Sequence, residues 1–399
     1  MEQSGSGGAG IAVPGFVDSH AHLLENSALI ELIATAAPVR AFHEQVARAG
    51  TTPMDVLDLV PAMPLPELAA RLRAGLERAA AAGLVEVTEM GMRDWSYLDA
   101  LAALQAESPP QAESPPQAEG PPQAEGPLPT RVRVYLASGL AAQASPAELA
   151  ERRARYDSPW VRLDGVKFYA DGWLGPRTCA VCRDFADTGA DGLLFLDGPA
   201  LAGRITPLIE AGWRIATHAI GDRAVAAVLD GYELAWAGDG TALAAAAPRI
   251  EHASLLSDEL IARMAALGVT ACIQPSFAVT DEPQVGPALG PGRRDLAYPW
   301  AALHQAGVPI LAGSDYPIET LDPLAGLARL IRGRSDRDGF ATPATAPARS
   351  RLTPAAALAA MTDAAAGETR LSGDPLSLAP DHMDRLGLLG TQPSPFEIS

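Results

Sequence analysis

Apolar residues along the chain fall into short β-rich runs separated by longer alanine- and leucine-rich stretches. The runs are Ala12–Asp18, Leu84–Met90, Arg131–Ala137, Leu163–Tyr169, Trp213–Thr217, Arg249–Ala253, Val269–Gln274 and Pro309–Gly313, each of a length suited to a strand. Between them the pattern predicts helices over Leu65–Ala82, Pro146–Tyr156, Pro199–Ala211, Asp222–Trp236, Ser257–Leu267 and Trp300–Ala306. Ser145-Pro146 and Ser257-Asp258-Glu259 put a hydroxyl before the first turn and proline or acids inside it, which are helix starts. Gly212, Gly268 and Gly307 stand where helices should end, each just ahead of a strand. Strand followed by helix, repeated around eight strands, predicts an α/β fold of the parallel (β/α)8 TIM-barrel type.

Residues 106–129 break the pattern with AESPPQ, AESPPQ, AEGPPQ, AEGP. That repeat cannot bury an apolar face and reads as a solvated loop expansion. With 399 residues and 48% hydrophobic content, the rest can bury a large core. A net charge of −18 repels phosphate backbones and anionic lipid surfaces, so neither nucleic acid nor a membrane is an expected partner. No apolar run approaches the roughly 18 residues of a membrane span. The polar, glycine-rich start and the three cysteines fit a soluble, cytoplasmic protein without a disulfide framework. Cys179 and Cys182 form a C-x-x-C, whose redox or zinc role would need further partners nearby.

Lys167 is the only lysine among thirty basic side chains. Arginine stays charged, whereas a buried lysine can become neutral, act as a nucleophile or capture carbon dioxide as a carbamate. It ends the fourth predicted strand. His20 and His22 follow the first strand with the alternate spacing that puts two side chains on one face. His218 follows the fifth strand, His252 the sixth and Asp315 the eighth. A single buried histidine is ordinarily a core residue, and an aspartate after glycine a turn. Six polar groups at the strand ends of a barrel are instead arranged where that fold assembles its sites. His43, His304 and His382 fall elsewhere and read as solvated or structural, and Met90 as core.

The segments PGFVDSHAHL, GVKFYADGWLGPRT, ATHAIGDRAV, RIEHASLL and AGSDYP resemble the strand-end motifs of the amidohydrolase superfamily. The wording is most similar to amidohydrolase family 3, the branch with N-substituted formamide deformylases and many uncharacterised metal-dependent hydrolases. The likeness covers residues 13–367 apart from the proline-rich loop, leaving 1–12 as a flexible leading segment. Residues 368–399 look like the remnant of the small β-sandwich that this family builds from its termini. That sandwich is reduced here, which leaves self-association as a homo-oligomer open.

The resemblance implies that His20 and His22 bind one divalent ion with Asp315, that His218 and His252 bind a second, and that carboxylated Lys167 bridges them. Zinc is the first expectation, although manganese, iron or nickel fit such donors and a one-ion version exists in the superfamily. The implied activity is hydrolysis of an amide, N-formyl or cyclic amide C–N bond in a small molecule, with Asp315 shuttling the proton. Trp173, Arg177 and Gln274 are expected to touch substrate, and the loop after Lys167 to act as a lid. Two alternatives accompany that reading. One is an inactive, regulatory binding protein; the other is a lactone or phosphoester hydrolase using the same cage.

Overall fold

The computed structural model describes residues 11–13, 15–25, 27, 63–107, 126–236, 246–333, 347–362 and 376–378. Most of the proline-rich repeat, His43 and His382 lie outside the described residues. The strands are β1 (Ile11–Val13), β2 (Phe16–Ala21), β3 (Leu84–Met92), β4 (Arg131–Ala137), β5 (Val161–Tyr169), β6 (Arg214–Ala219), β7 (Arg249–His252), β8 (Thr270–Ile273), β9 (Ile310–Ala312) and β10 (Leu376–Leu378). Among the described residues, β2 to β9 form one eight-stranded sheet in chain order, every ladder in it parallel. Helices Leu65–Ala81, Pro146–Tyr156, Gly198–Glu210, Asp222–Trp236, Asp258–Leu267 and Trp300–Gln305 occupy the predicted stretches. This is the (β/α)8 barrel.

The predicted caps explain where the helices begin. The Ser145 hydroxyl accepts the Glu148 N–H while the Glu148 carboxylate takes the Ser145 N–H, a full capping box. Ser257 accepts from Leu260, and Gly268 closes that helix in the left-handed conformation at φ 65°. One predicted run divides. Pro14 lacks the N–H a continuous ladder needs, and Ala12–Asp18 becomes two strands, β1 and β2. Ile11 and Ala12, assigned above to a flexible leader, pair with Leu378 and Ser377 in a two-stranded antiparallel sheet. Among the described residues no helix is long and apolar enough to cross a membrane.

The main core lies between the sheet and the helices, where Leu72, Leu76, Leu101, Ile205, Val228 and Met264 are fully buried. Each such side chain contributes about 1.5–3 kcal/mol relative to exposure. Inside the barrel the chemistry differs. Near the N-terminal ends of the strands Arg133 pairs with Glu86 at 3.1 Å and Asp164 at 2.5 Å. Met90, Tyr135 and Ala216 form a separate small buried cluster. Buried charge therefore comes paired, as its desolvation requires.

Closure of the barrel brings the first strand to the last. Ala21 bridges to Tyr316, the Asp315 N–H donates to the His20 carbonyl at 2.7 Å, and the His22 N–H donates to the Tyr316 carbonyl at 2.8 Å. Gly313 permits this approach, because a Cβ there would collide with the His20 backbone nitrogen and lie 2.8 Å from its carbonyl oxygen. We expect Gly313→Ala to cost about 1–3 kcal/mol by overpacking the seam. Thermal unfolding measures it, and an unchanged melting temperature would show that the seam can yield.

Candidate metal centre

Each candidate ligand sits at the C-terminal end of its strand or just past it. His20 is in β2 with His22 just beyond, Lys167 is in β5, His218 in β6, His252 ends β7, and Asp315 follows β9. The seam described above sets His20 and His22 beside Asp315. Their Nε2 atoms both lie 3.3 Å from the Asp315 Oδ1. The rings continue as a chain: His20 to His22 at 5.4 Å, His20 to His252 at 5.0 Å and His252 to His218 at 4.5 Å between centroids. The structure thus brings the four imidazoles and Asp315 to one place. Lys167 shares it, fully buried and within the electrostatic reach of Glu251 and Asp315.

Three of the histidines are held by the nitrogen opposite the common space. His20 Nδ1 donates to Glu251 Oε2 at 2.5 Å, and His252 Nδ1 donates to Gln274 Oε1 at 2.7 Å. His218 Nε2 donates to the Gly172 carbonyl at 3.1 Å with Asp171 Oδ1 at 3.3 Å. With those N–H groups engaged, the other ring nitrogens carry the lone pairs a metal uses. His20 Nε2 is buried and makes no hydrogen bond among the described residues. A donor set of imidazole and carboxylate, with orphaned nitrogen turned inward, fits a divalent cation.

The local electrostatics suit the same purpose. Burial, then the neighbouring His218, keep His252 well below the ordinary histidine range and therefore neutral. Burial opposes the charge on Asp315, but His20 and His22 outweigh it and hold the carboxyl well below the usual range. For Glu251 the opposing burial is overcome by Arg249, whose guanidinium grips both of its oxygens. Burial lowers the Lys167 amine to about 8, against the pull of Glu251 and Asp315. Two candidate ligands also sit on left-handed backbone, His252 at φ 74° and Asp315 at φ 55°. Such backbone costs on the order of 1–3 kcal/mol and gathers at functional sites.

The residues expected to touch substrate have contacts within the protein. The Gln274 Oε1 accepts from His252 Nδ1, so its amide oxygen is engaged within the protein. Arg177 pairs with Asp187 through Nε and Nη2, and its Nη1 donates to the Leu174 and Gly175 carbonyls and to Gln284. That guanidinium builds the loop, because its hydrogen bonds are made within the protein. Trp173 is half-buried and packs on the core. The loop itself is pinned: Asp171 accepts from the N–H groups of Ala180, Ile220 and Gly221 at 2.8–3.0 Å, and Arg223 pairs with Asp191. These contacts tie the loop to the turn after β6 and to the helix that follows it. Cys179 is buried, Cys182 exposed, and neither joins a metal-competent group among the described residues. His304 is exposed in its helix, and Met90 is core.

Several neighbours escaped the sequence reading. Glu251 immediately precedes His252, and regular strand alternation would put them on opposite faces; the positive φ of His252 breaks that rule. Glu89 lies near His22, pushed up to about 8 by burial and by Glu25. Tyr169 shares the Lys167 face of β5, its ring centroid 5.1 Å from the Lys167 Nζ.

The Amidohydrolase family model matches residues 24–382. The chain belongs to the amidohydrolase family. It is similar to a putative amidohydrolase, YtcJ, of Bacillus subtilis, 33% identical over 47% of this chain and 35% of that protein. It is also similar to LONG AFTER FAR-RED 3 of Arabidopsis thaliana, 30% identical over 44% of this chain and 30% of that protein. The match thus spans about a third of these curated relatives. Among solved structures, an uncharacterized metal-dependent hydrolase from Pyrococcus furiosus superposes with a TM-score of 0.66 at 21% identity, over 92% of this chain and 84% of that one. At that identity the likeness concerns the fold.

For this amidohydrolase-family chain, the anchoring of His252 gives a direct test. Gln274→Leu removes the acceptor from His252 Nδ1, and we expect metal affinity to fall about 10–100-fold, the usual effect of losing such a partner. Chelator competition measures it; unchanged affinity would make Gln274 a packing residue.

Proposed function

We propose that the protein is a metal-dependent hydrolase of a non-peptide C–N bond, amide, N-formyl or cyclic amide, in a small molecule. The observation that carries this reading is the convergence of four imidazoles, Asp315 and a fully buried lysine at the strand ends, three of the rings anchored through their outer nitrogens. His20, His22 and Asp315 would hold one ion, His218 and His252 another, with Lys167 as a carbamate between them; zinc is the first choice for such donors. Bound there, divalent ions polarise the scissile carbonyl and acidify water.

The remaining work falls to the chain. Asp315, ionised and buried, accepts the proton of the attacking water and returns it to the leaving nitrogen. Glu251, Gln274 and Gly172 fix three rings so that little reorganisation accompanies the reaction. The loop that follows β5 meets the site at the Gly172 carbonyl, which holds His218.

The test combines metal analysis and the intact mass of purified protein with a screen of N-formyl, N-acyl and cyclic amides beside lactones and phosphoesters. Metal-dependent turnover of an amide class is the expected result. Turnover confined to esters would replace the C–N assignment. Protein that binds no metal and carries no added mass on Lys167 would favour the regulatory alternative.

A further inference from the structure

The Tyr169 hydroxyl is buried and makes no hydrogen bond among the described residues. The buried Glu89 Oε1 makes none either, so the two do not pair with each other. A buried polar group left unbonded is destabilising, whereas a phenylalanine in the same place would bring no such group. The hydroxyl therefore calls for an acceptor that the unmodified chain does not supply.

Its surroundings narrow the choice. Tyr169 and Lys167 stand two residues apart in β5 and so share a face. The tyrosine ring centroid lies 5.1 Å from the Lys167 Nζ and 5.7 Å from the His218 ring. From β5 the side chain passes over β4 to reach Gly91 of β3. Gly91 holds φ 106°, and a Cβ there would come within 2.8 Å of the Tyr169 hydroxyl and 3.6 Å of the Lys167 Cγ. One missing side chain thus leaves room for both the phenol and the lysine stem. A ligand arriving from solvent meets a closed hydroxyl, but a group built onto the lysine amine arises beside it.

We propose that the Tyr169 hydroxyl donates to an oxygen of a carbamate on Lys167 and holds that group in place. The inference rests on the carbamate of the proposed function and makes Tyr169 a positioning residue for it. In that modification the neutral amine adds to the carbon of carbon dioxide. The N–C bond forms, one C–O π pair moves onto oxygen, and the nitrogen loses a proton to solvent. The product is a carboxylate with about four lone-pair sites, enough to accept from a phenol and still face two ions. A hydrogen bond to an anion is roughly twice as strong as one between neutral groups. The ring face beside Nζ acts on the amine with or without its hydroxyl, so Tyr169→Phe keeps that face and removes only the donor.

The test titrates the metal-free full chain with labelled bicarbonate at about pH 9 and follows the carbamate carbon by NMR. Lys167 is the only lysine, so Lys167→Met provides the blank for the N-terminal amine. We expect Tyr169→Phe to need about 10–100-fold more bicarbonate for half-loading, with a melting temperature in carbon-dioxide-free buffer no lower than that of wild type. Equal half-loading overturns the proposal and leaves the carbamate standing; a wild type that never loads removes both. A Phe variant that is less stable without carbon dioxide would show the hydroxyl bonded within the chain, which also overturns it. Crystals of the loaded wild type decide the matter without a variant: the Tyr169 hydroxyl should lie about 2.5–3.0 Å from a carbamate oxygen, and a separation beyond hydrogen-bond reach refutes the proposal.

Discussion

Lys167→Arg should abolish turnover, by about three orders of magnitude or more, equivalent to roughly 4 kcal/mol of barrier. The side chain is completely buried, and its amine is lowered to about 8 by that burial. Guanidinium does not deprotonate in proteins. The variant would therefore carry a fixed charge beside Arg249, in a place where desolvation costs several kcal/mol, and could form no carbamate. Lys167→Met separates the two effects, since it is apolar, similar in length and equally unable to carry carbon dioxide. We expect Met to keep the wild-type melting temperature and still lose the rate and part of the metal content. A Met variant with full metal and normal turnover would remove Lys167 from the centre.

The same burial sets a pH dependence for loading. Carbon dioxide reacts only with the neutral amine, and a folded pKa lowered from 10.5 to about 8 raises the neutral fraction at every pH below it. At pH 7 about a tenth of the amines are neutral, and at pH 9 about nine-tenths. Incorporation of labelled bicarbonate into metal-free protein should accordingly climb between pH 7 and 9 and then level off. A rise centred near 10 would mean that the amine is solvated.

The barrel was legible because its information is local. Short β-rich runs, the Ser145 and Ser257 caps and the glycines closing helices each act over a few residues. The placement of the candidate ligands was legible for a related reason: in a barrel the end of each strand is a known place, so His218, His252 and Asp315 could be located there by counting strands. The second layer was not. Glu251 faces inward beside His252 only because His252 adopts positive φ, and Gln274 meets His252 across 22 positions of sequence. Arg177 showed a charge suited to an anion, but no local signal announced that Asp187 and Gln284 would engage it. Glu25 and Glu89 are 64 positions apart and meet only through the pairing of β2 with β3.

Asp315→Asn should lower kcat about 10²–10⁴-fold, the range for losing a positioned acid–base group. Asparagine is the informative replacement. Asp315 holds φ 55°, a conformation that asparagine tolerates better than most residues, so the strand-end backbone can survive the change. What disappears is the negative charge 3.3 Å from two Nε2 atoms and the oxygen that takes the proton. The loss should be visible without substrate. In wild type, burial disfavours the His22 cation, but the hydrogen bond and charge of Asp315 outweigh it and raise the pKa. Remove that charge and burial prevails, so the His22 pKa should drop below its wild-type value. Ring titration by NMR in metal-free protein would follow it. An asparagine variant that keeps both the rate and the His22 titration would place the proton acceptor elsewhere, with Glu251 excluded by its bidentate hold on Arg249.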